Sequence, residues 1–274
     1  MKHLFSVCMS VYKNDKPEFV IVALDSVINQ SVKPNEIVLV VDGPISDELL
    51  FLLDEYDRRY IGLFNIIRLP INKGLGNALK LATEKAKYEL IARMDSDDIA
   101  ESTRFEKQLK CFENDSELSI VGGSISEFID TPQNIVGHRV CPFTNDEIKD
   151  YMKSRCGLNH VTVMFRKSEV LRVGNYQDWF WNEDYYLWIR MMLAGCKFAN
   201  LPDVLVNVRV GKDMYARRGG WKYFKSEAKL QGYMLQHKLI SFPLYLYNVA
   251  IRFAVQVAMP NALRGWVFRT FARK

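Results

Sequence analysis

The chain has 274 residues and a mass of 31.8 kDa, which fits one large domain with a smaller extension. Apolar residues make up 49% and charged residues 25%, which excludes a disordered, collagen-like or disulfide-scaffold protein. The net charge of +5 is unevenly spread, because residues 205–274 hold 13 basic against 2 acidic side chains, whereas residues 1–204 hold 24 against 30. The basic C-terminal part predicts an anionic partner at that end.

The cysteines and the first apolar stretch bear on where the protein works. The five cysteines are odd in number and form no C-x-x-C pair, so we expect reduced thiols in a cytosol and no zinc site. Residues 4–12 contain Ser6 and Ser10 and lack a small-residue cleavage site. We therefore expect a strand here and not a signal peptide.

The first hundred residues alternate between apolar runs and segments with apolar residues at helical spacing. We predict strands at 4–11, 36–41, 64–69 and 89–94, and helices at 17–29, 47–59 and 76–87. This alternation predicts an α/β fold with a doubly wound, mostly parallel sheet. In such sheets a ligand binds outside the carboxyl ends of the strands.

Past residue 100 the pattern is mixed. We predict helices at 103–113, 146–155 and 182–194, and strands at 119–129, 134–140, 161–166 and 204–210. From Gly219 onward the whole sequence has a helical pattern. No internal repeat or low-complexity linker interrupts the chain, so residues 1 to about 210 are expected to form one unit.

Three carboxylates, Asp95, Asp97 and Asp98, follow the fourth predicted strand within four residues. They repel each other unless a cation lies among them, and hard oxygen ligands of this kind suit Mg²⁺ or Mn²⁺ together with substrate phosphates. The structural alternative is that Asp98 is the N-cap of the next helix and the others are solvated.

Two further loops follow predicted strands. Asp42 ends the strand at 36–41, where it is placed either to accept hydrogen bonds from a nucleoside or to form an Asp-Gly turn. The N-K-G-L-G-N loop at 72–77 opens a helix and can present Lys73 and backbone N–H groups to a phosphate, or it is a plain tight turn. Leu79 replaces the third glycine of the dinucleotide fingerprint and the loop follows the third strand, so an NAD site is excluded.

Glu183 and Asp184 begin a predicted helix. The helix dipole favours acids in a first turn for structural reasons alone. It also keeps a carboxylate ionised, so that one of the pair is able to act as a general base. The aromatic run just upstream, Trp179 to Trp181, is suited to stacking on a sugar ring.

The ordered set of these segments resembles the inverting glycosyltransferases of family 2, which have the GT-A fold. The resemblance spans about residues 3–215, and within the family it is closest to bacterial enzymes that extend O-antigen or capsule repeat units on a lipid-diphosphate carrier. Val41 stands where many members carry a second acid. The matching segments are 10–12 (S-V-Y), 41–44 (V-D-G-P), 72–74 (N-K-G), 95–98 (D-S-D-D), 159–166 (N-H-V-T-V-M-F-R) and 183–190 (E-D-Y-Y-L-W-I-R).

The resemblance implies a role for each matching residue. The nucleotide-sugar donor, with UDP-galactose or UDP-glucose as the expected compound, would contact Ser10, Tyr12, Asp42, Lys73, Gly74 and Asp95, with Arg217 and Arg218 closing over its diphosphate. Asp97, with Asp95, would hold Mn²⁺ or Mg²⁺. Asp184 would be the base, with Glu183 as the alternative. Trp181 and His160 would contact the acceptor.

The basic side chains that follow the last predicted strand are expected to share this role at the donor diphosphate. Arg209 and Lys212 join Arg217 and Arg218 there, and the structural alternative is a solvated basic loop. Two other classes of protein stay open on the residues alone. One is a sugar-phosphate nucleotidyltransferase, although residues 10–16 lack the glycine-rich loop that it needs; the other is a non-enzymatic RNA- or anion-binding module. For a glycosyltransferase no nucleic-acid partner is expected.

We expect residues 1–215 to form the GT-A domain and 216–274 a basic, amphipathic helical extension. Residues 244–258 are apolar apart from Asn248, Arg252 and Gln256 and are too short to span a bilayer. Helices with basic and aromatic faces lie in a membrane interface. We therefore expect a peripheral protein on the cytoplasmic face of the membrane, where a lipid-linked acceptor would be found. The alternative is a helical cap packed on the sheet.

Overall fold

A computed structural model describes residues 4–211 and 219–260. The strands are β1 Phe5–Val11, β2 Glu36–Val41, β3 Phe64–Arg68, β4 Leu90–Arg93, β5 Ile99–Ala100, β6 Leu118–Phe128, β7 Ile135–Arg139, β8 Met164–Arg166 and β9 Lys197–Arg209. The helices are α1 Pro17–Ile28, α2 Asp47–Arg59, α3 Leu75–Lys85, α4 Arg104–Asn114, α5 Asn145–Tyr151, α6 Lys167–Arg172, α7 Glu183–Leu193, α8 Trp221–Gln236 and α9 Phe242–Phe253. A 3₁₀ turn covers His160–Thr162, and one π-helical turn, Ala254–Ala258, follows α9.

Within the described residues the strands form one sheet in the order β3-β2-β1-β4-β8-β6-β9-β5, and β7 pairs with β6. The first four strands are parallel, as predicted from the β-α alternation. Strand β8 runs antiparallel to both β4 and β6, while β6 and β9 are parallel. The α/β class and the mostly parallel sheet are confirmed. No helix among the described residues is long and apolar enough to cross a bilayer.

The core lies on both faces of the sheet because successive strand residues point to opposite sides. In β1, Val7 and Met9 pack with α1, α2 and α4, whereas Cys8 packs on the other face with α3, α7 and α8. Strand β2 divides in the same way. Both faces of these strands are buried, which is why their sequences are continuous apolar runs.

Three predicted boundaries were wrong, and tertiary contacts explain each. The strand predicted at 161–166 is a 3₁₀ turn followed by β8, because the Thr162 N–H and hydroxyl both bond back to the Asn159 carbonyl. The last strand begins at Lys197 and not at 204, because β6 pairs with it over almost its whole length. The helix predicted at 146–155 ends at Tyr151, because the chain beyond it contacts α9, where the Asn248 amide donates to the Lys153 carbonyl.

A buried polar pair fixes the strand end that carries the acidic loop. The Arg104 guanidinium donates to the Arg93 carbonyl at 2.7 Å, and burial lowers the pKa of Arg104 to about 9. Gln108 accepts from Arg104 and donates to the carbonyls of Val121 and Thr162. These bonds join β4, β6 and the 3₁₀ turn at one point inside the core.

The packing at Gly122 generates a stability test. A Cβ on this β6 residue would lie 2.4 Å from Asn200 Oδ1 and 3.1 Å from the Leu158 side chain. Asn200 has little room to move, since its amide donates to the carbonyls of Pro142 and Gly157. We expect Gly122→Ala to lower the free energy of unfolding by about 1–3 kcal/mol in urea titrations.

The matched control is Gly232→Ala in α8, where an added Cβ would meet no atom within 4 Å. Alanine is favoured over glycine in a helix, so this variant should be neutral or more stable by up to about 1 kcal/mol. Equal effects of the two substitutions would contradict the close packing between β6 and the Asn200 side chain.

Candidate active site

The predicted site residues meet at one edge of the sheet. Strand β1 pairs in parallel with β2 on one side and β4 on the other, so the loops after these three strands lie side by side. These loops carry Tyr12, Asp42 and the acidic residues 95–98, and Ser10 lies next to them in the last part of β1. This is the edge at which α/β sheets bind ligands.

Asp42 is buried and joins two loops. Its two carboxylate oxygens accept the backbone N–H groups of Lys73 at 2.7 Å and Gly74 at 2.9 Å, and its carbonyl accepts from the Asn72 amide. Gly43 has φ 87° and lies so close to Asn72 that a Cβ would be 2.6 Å from its nitrogen. Asp42 therefore shapes the loop that begins α3 and leaves the Lys73 side chain exposed beside it.

Asp15 is a site residue that the sequence analysis missed. Its carboxylate accepts the Tyr12 N–H at 3.0 Å and the Ser96 hydroxyl at 2.9 Å. It therefore ties the loop after β1 to the acidic loop after β4. Burial raises its pKa, and Asp95 raises it further. The sequence shows an acid four residues past the predicted strand, but it does not show that Ser96, 81 residues away, is its partner.

The acidic loop is built around the buried guanidinium of Arg93. Both terminal nitrogens of Arg93 donate to the two oxygens of Asp95, one of them at 2.5 Å, in a bidentate pair. Asp98 is buried and accepts the backbone N–H of Arg209 at 2.8 Å. It is not an N-cap, because β5 follows it and α4 begins at Arg104.

Arg209 lies elsewhere than the sequence analysis predicted. Its guanidinium lies 3.8 Å from the centre of the Phe19 ring and donates to the carbonyls of Asp97 and Asp130. It therefore holds the acidic loop in place. Lys212, Arg217 and Arg218, which share that prediction, lie outside the described residues.

Asp95, Asp97 and Asp98 lie close together, and Arg93 pairs with only one of these three carboxylates. Burial raises the pKa of Asp97 to about 6, and Asp95 and Asp15 add to the effect. Burial and the neighbouring acids also raise the pKa of Asp98. Among residues 4–211 and 219–260 no three acidic, histidine or cysteine side chains form a complete metal cage. The residues nevertheless fit a divalent cation of the Mg²⁺ type, which binds through one or two carboxylates plus substrate phosphates.

The second group of acids begins α7. Asp184 accepts the Tyr185 N–H at 2.7 Å, and its other oxygen lies 3.9 Å from Nδ1 of His160. The second ring nitrogen of His160 lies 2.9 Å from the Tyr176 hydroxyl. Burial lowers the pKa of His160, which keeps the imidazole neutral. The structure thus brings His160 against the predicted base.

The two acids of α7 differ in their electrostatic surroundings. Burial raises the pKa of Asp184, but the Tyr185 N–H and the guanidiniums of Arg93 and Arg139 lower it. Glu183 packs against Gly76 of α3, and burial together with Asp184 raises its pKa to about 7. Burial thus raises the pKa of both acids, and the neighbouring guanidiniums and the Tyr185 N–H counteract it at Asp184.

The segment before α7 is held by α8. The Ser226 hydroxyl donates to the Phe180 carbonyl at 2.6 Å and accepts from the Asn182 amide. The Ser226 backbone carbonyl accepts from the Trp179 indole. Ser226 was missed because nothing in the sequence marks it. Trp179 is buried and so does not form part of an open sugar-binding wall, whereas Trp181 is half exposed and stacks on Phe180.

The comparisons with known proteins identify the family. The model of "Glycosyl transferase family 2" matches residues 6–180. The chain is 38% identical to the amylovoran biosynthesis glycosyltransferase AmsE of Erwinia amylovora, over 87% of this chain and 88% of that protein. It is 34% identical to an Escherichia coli UDP-Gal:alpha-D-GlcNAc-diphosphoundecaprenol beta-1,3-galactosyltransferase, over 98% and 97%. The chain belongs to glycosyltransferase family 2.

Solved structures agree on the fold. The S. aureus protein TarS 1–349 in complex with UDP superposes with a TM-score of 0.66 at 14% identity, over 97% of this chain and 74% of that one. The mannosyltransferase PcManGT from Pyrobaculum calidifontis, in complex with GDP-Man and Mn²⁺, superposes with a TM-score of 0.60 at 15% identity, over 98% and 79%. The fold is GT-A, and the protein is a glycosyltransferase rather than a nucleotidyltransferase or a non-enzymatic binding module.

The raised pKa of Glu183 predicts a pH-dependent stability. A carboxyl whose pKa rises from 4.5 to about 7 on folding stabilises the protein below pH 4.5, and this contribution is lost as the pH rises through 7. Glu183→Gln removes the titration. Between pH 4.5 and pH 8 the free energy of unfolding of the wild type should therefore fall by about 1–3 kcal/mol relative to that of the variant.

Urea titrations at the two pH values measure this difference. Glu55→Gln, at an exposed position on α2, is the matched control and should differ from the wild type equally at both pH values. A gap between Glu183→Gln and the wild type that stays constant from pH 4.5 to 8 would contradict the burial of the Glu183 carboxyl.

Proposed function

We propose that this glycosyltransferase moves a hexose from a UDP-sugar, galactose or glucose, to a sugar on a lipid diphosphate, with inversion at the anomeric carbon. The observation that carries the proposal is that a direct chain of contacts joins the two acidic groups. The N–H of Arg93, at the end of β4, donates to the Val163 carbonyl at 2.9 Å, and His160 of the adjoining 3₁₀ turn lies 3.9 Å from Asp184 of α7. This arrangement supports one substrate that contacts both groups.

The choice of donor and acceptor is supported by a relative that matches nearly the whole chain. The name of the Escherichia coli galactosyltransferase states a UDP-Gal donor and a diphosphoundecaprenol-linked acceptor. An acceptor of this kind is embedded in a membrane by its lipid. The proposed location is accordingly the cytoplasmic face of the cell membrane, with the protein bound peripherally.

On the donor side, Ser10, Tyr12 and the Asp42 loop with Lys73 and Gly74 would contact the nucleotide. Asp97 and Asp95 would hold Mn²⁺ or Mg²⁺ against the donor diphosphate. The metal would supply positive charge to the leaving phosphate. The fit rests on the surplus of negative charge around Asp97, which a divalent cation would relieve.

On the acceptor side, Asp184 would take the proton of the attacking hydroxyl while the hydroxyl oxygen bonds to the anomeric carbon from the face opposite the UDP. The bond from that carbon to the UDP oxygen breaks in the same step, and UDP leaves with its electron pair. The bonds and charges around Asp184 support this role, because they orient the carboxylate and favour its ionised form. His160 lies beside it, and the exposed ring of Trp181 would pack against the acceptor sugar.

A donor screen tests the proposed reaction. The purified protein, supplied with Mn²⁺ or Mg²⁺, is given UDP-galactose, UDP-glucose and GDP-mannose in turn, with a synthetic lipid-diphosphate N-acetylglucosamine as acceptor. We expect transfer from one of the UDP-hexoses. Transfer from GDP-mannose alone, or to a soluble sugar that lacks the diphosphate with equal efficiency, would contradict the proposed substrates.

Asp184→Asn tests the base. Asparagine keeps the size of the side chain but cannot accept a proton, so kcat should fall by about 10²–10⁴-fold while the affinity for UDP, measured by calorimetry, stays near that of the wild type. Glu183→Gln is the matched control and should retain most of the turnover. A dead Glu183→Gln beside an active Asp184→Asn would reverse the assignment.

Asp97→Asn tests the metal site. Since burial already disfavours the ionised carboxyl, the neutral side chain should leave folding intact. Calorimetric titration with UDP should show that Mn²⁺ strengthens binding to the wild type and not to the variant. Asp57→Asn, on the exposed face of α2, should behave as the wild type. Undiminished wild-type turnover in excess EDTA would overturn the assignment.

A further inference from the structure

Helix α9 and its π-helical turn bury their polar side and expose their apolar side, which is the reverse of an ordinary surface helix. In an ordinary surface helix the apolar side faces the core and the polar side faces water. Here Asn248 and Gln256 are buried, whereas every exposed residue is apolar or aromatic. These exposed residues, called here the α9 outer face, are Phe242, Pro243, Leu246, Tyr247, Ala250, Ile251, Phe253, Ala254 and Ala258.

Specific bonds hold the polar side inward. The Asn248 amide donates to the Lys153 carbonyl and to Gln231 of α8, both at 2.9 Å. Arg252 donates to Glu227 of α8 and to the Ser154 carbonyl, each at 2.5 Å. Buried polar groups are costly to leave without partners, so these bonds determine which side of α9 faces the protein. The outward orientation of the apolar side follows from them.

The α9 outer face continues into an aromatic cluster, and the neighbouring helix α8 also carries a basic row, whose Lys222 and Lys229 lie over the rings of Phe180 and Trp179. Trp221 and Phe224 of α8 pack edge-on against Phe253 at ring distances of 5.8 and 5.6 Å, and Trp221 remains 58% exposed. Three exposed lysines follow along α8 at helical spacing, at positions 222, 225 and 229. Aromatic residues and lysines bordering an apolar face are the composition of helices that lie in a membrane interface.

We infer that the α9 outer face, with Trp221 and the lysine row of α8, docks this enzyme on an anionic lipid bilayer. The inference deepens the proposed function, on which it rests for the reason a membrane is needed. The twelve residues of α9 extend about 18 Å, short of the roughly 30 Å hydrocarbon layer, so the helix lies along the surface.

Charge favours a bilayer over a second copy of the chain as the occupant. Lysines 222, 225 and 229 of α8 are exposed, and no acidic side chain of α8 or α9 is exposed. Two such surfaces facing each other would repel, whereas anionic headgroups attract the lysines.

The docking surface is joined directly to the base. Lys222 lies with its ammonium 4.0 Å from the centre of the Phe180 ring, and Ser226, one turn further along α8, bonds the segment that leads into α7. A bilayer bound at α8 and α9 would therefore hold its lipid-linked sugars at a fixed distance from Asp184.

Flotation with vesicles of phosphatidylcholine and phosphatidylglycerol tests the inference on the full chain. The wild type should float, and it should float less at high salt or with vesicles of phosphatidylcholine alone. Leu246→Gln with Ile251→Gln should bind at least about tenfold more weakly, since both apolar side chains are lost from the contact. Lys225→Gln should bind about fivefold more weakly.

Matched controls lie on other surfaces. Leu246 and Ile251 are 51% and 43% exposed, so glutamine should not disturb folding at either position. Phe51 and Ile61, at 60% and 91% exposure, and Lys110 on α4 are exposed residues outside the docking surface. Phe51→Gln with Ile61→Gln, and Lys110→Gln, should float as the wild type does.

Three results would overturn the inference. The first is equal flotation of the α9 variant and its control. The second is a wild-type dimer in light scattering that Leu246→Gln with Ile251→Gln makes monomeric, without flotation of either, which would assign this face to a second copy. The third is flotation lost when the chain stops at Pro260 but kept by the α9 variant, which would move docking to residues 261–274.

Calorimetric binding of UDP without lipid separates this inference from the proposed function. UDP binding without flotation would reject the docking surface alone. Flotation without binding of any nucleotide would reject the proposed reaction and leave the surface in place.

Discussion

Burying several carboxylates at one sheet edge costs free energy unless a cation lies among them, and in this protein the guanidinium of Arg93 is that cation. It donates to both oxygens of Asp95, and its charge lowers the pKa of Asp97 in the same loop and of Asp184 on α7. Its position is fixed from within the core, because Arg104 bonds the Arg93 carbonyl. The electrostatics of both halves of the site therefore depend on how β4 ends, and β4 is held by β1 on one side and β8 on the other.

A second dependence runs from the C-terminal helices to the chemistry. Helix α8 holds the segment before Asp184 through Ser226, and α9 is bonded to α8 through Arg252 and Glu227. Buried hydrogen bonds hold the polar side of α9 against the protein, and its apolar side is therefore left exposed at the surface. A helix that interacts with two environments in this way couples the position of an external surface to the position of Asp184.

The corrections to the sequence analysis share one physical origin. The sequence offers Asp98 as a member of a cation-binding group or as an N-cap, and Arg209 as a ligand-binding cation. In the structure the Asp98 carboxylate accepts the backbone N–H of Arg209, 111 residues further along the chain. The nucleotide contact of Asp42 stays a prediction, and the structure adds that its carboxylate accepts the backbone N–H groups of residues 73 and 74. A charged side chain near a strand end is recognisable from the sequence, whereas its partner is decided by which distant loops the sheet order brings together.

The sequence by itself determined the α/β class, the parallel first four strands, the strand-end position of the acidic loop and the family resemblance, because each is encoded in local spacing: apolar runs, helical periodicity and short motifs. Only the tertiary structure decided that Asp15 and Arg93 belong to the site, that His160 lies against Asp184, and which side of α9 faces outward. The pattern of residues 244–258 showed a polar stripe on an apolar helix, but not whether water or other parts of the protein would form hydrogen bonds with the polar side chains. Buried partners on α8 and at residues 153–154 did so, and hydrogen bonds between parts of the chain that far apart leave no trace in local spacing.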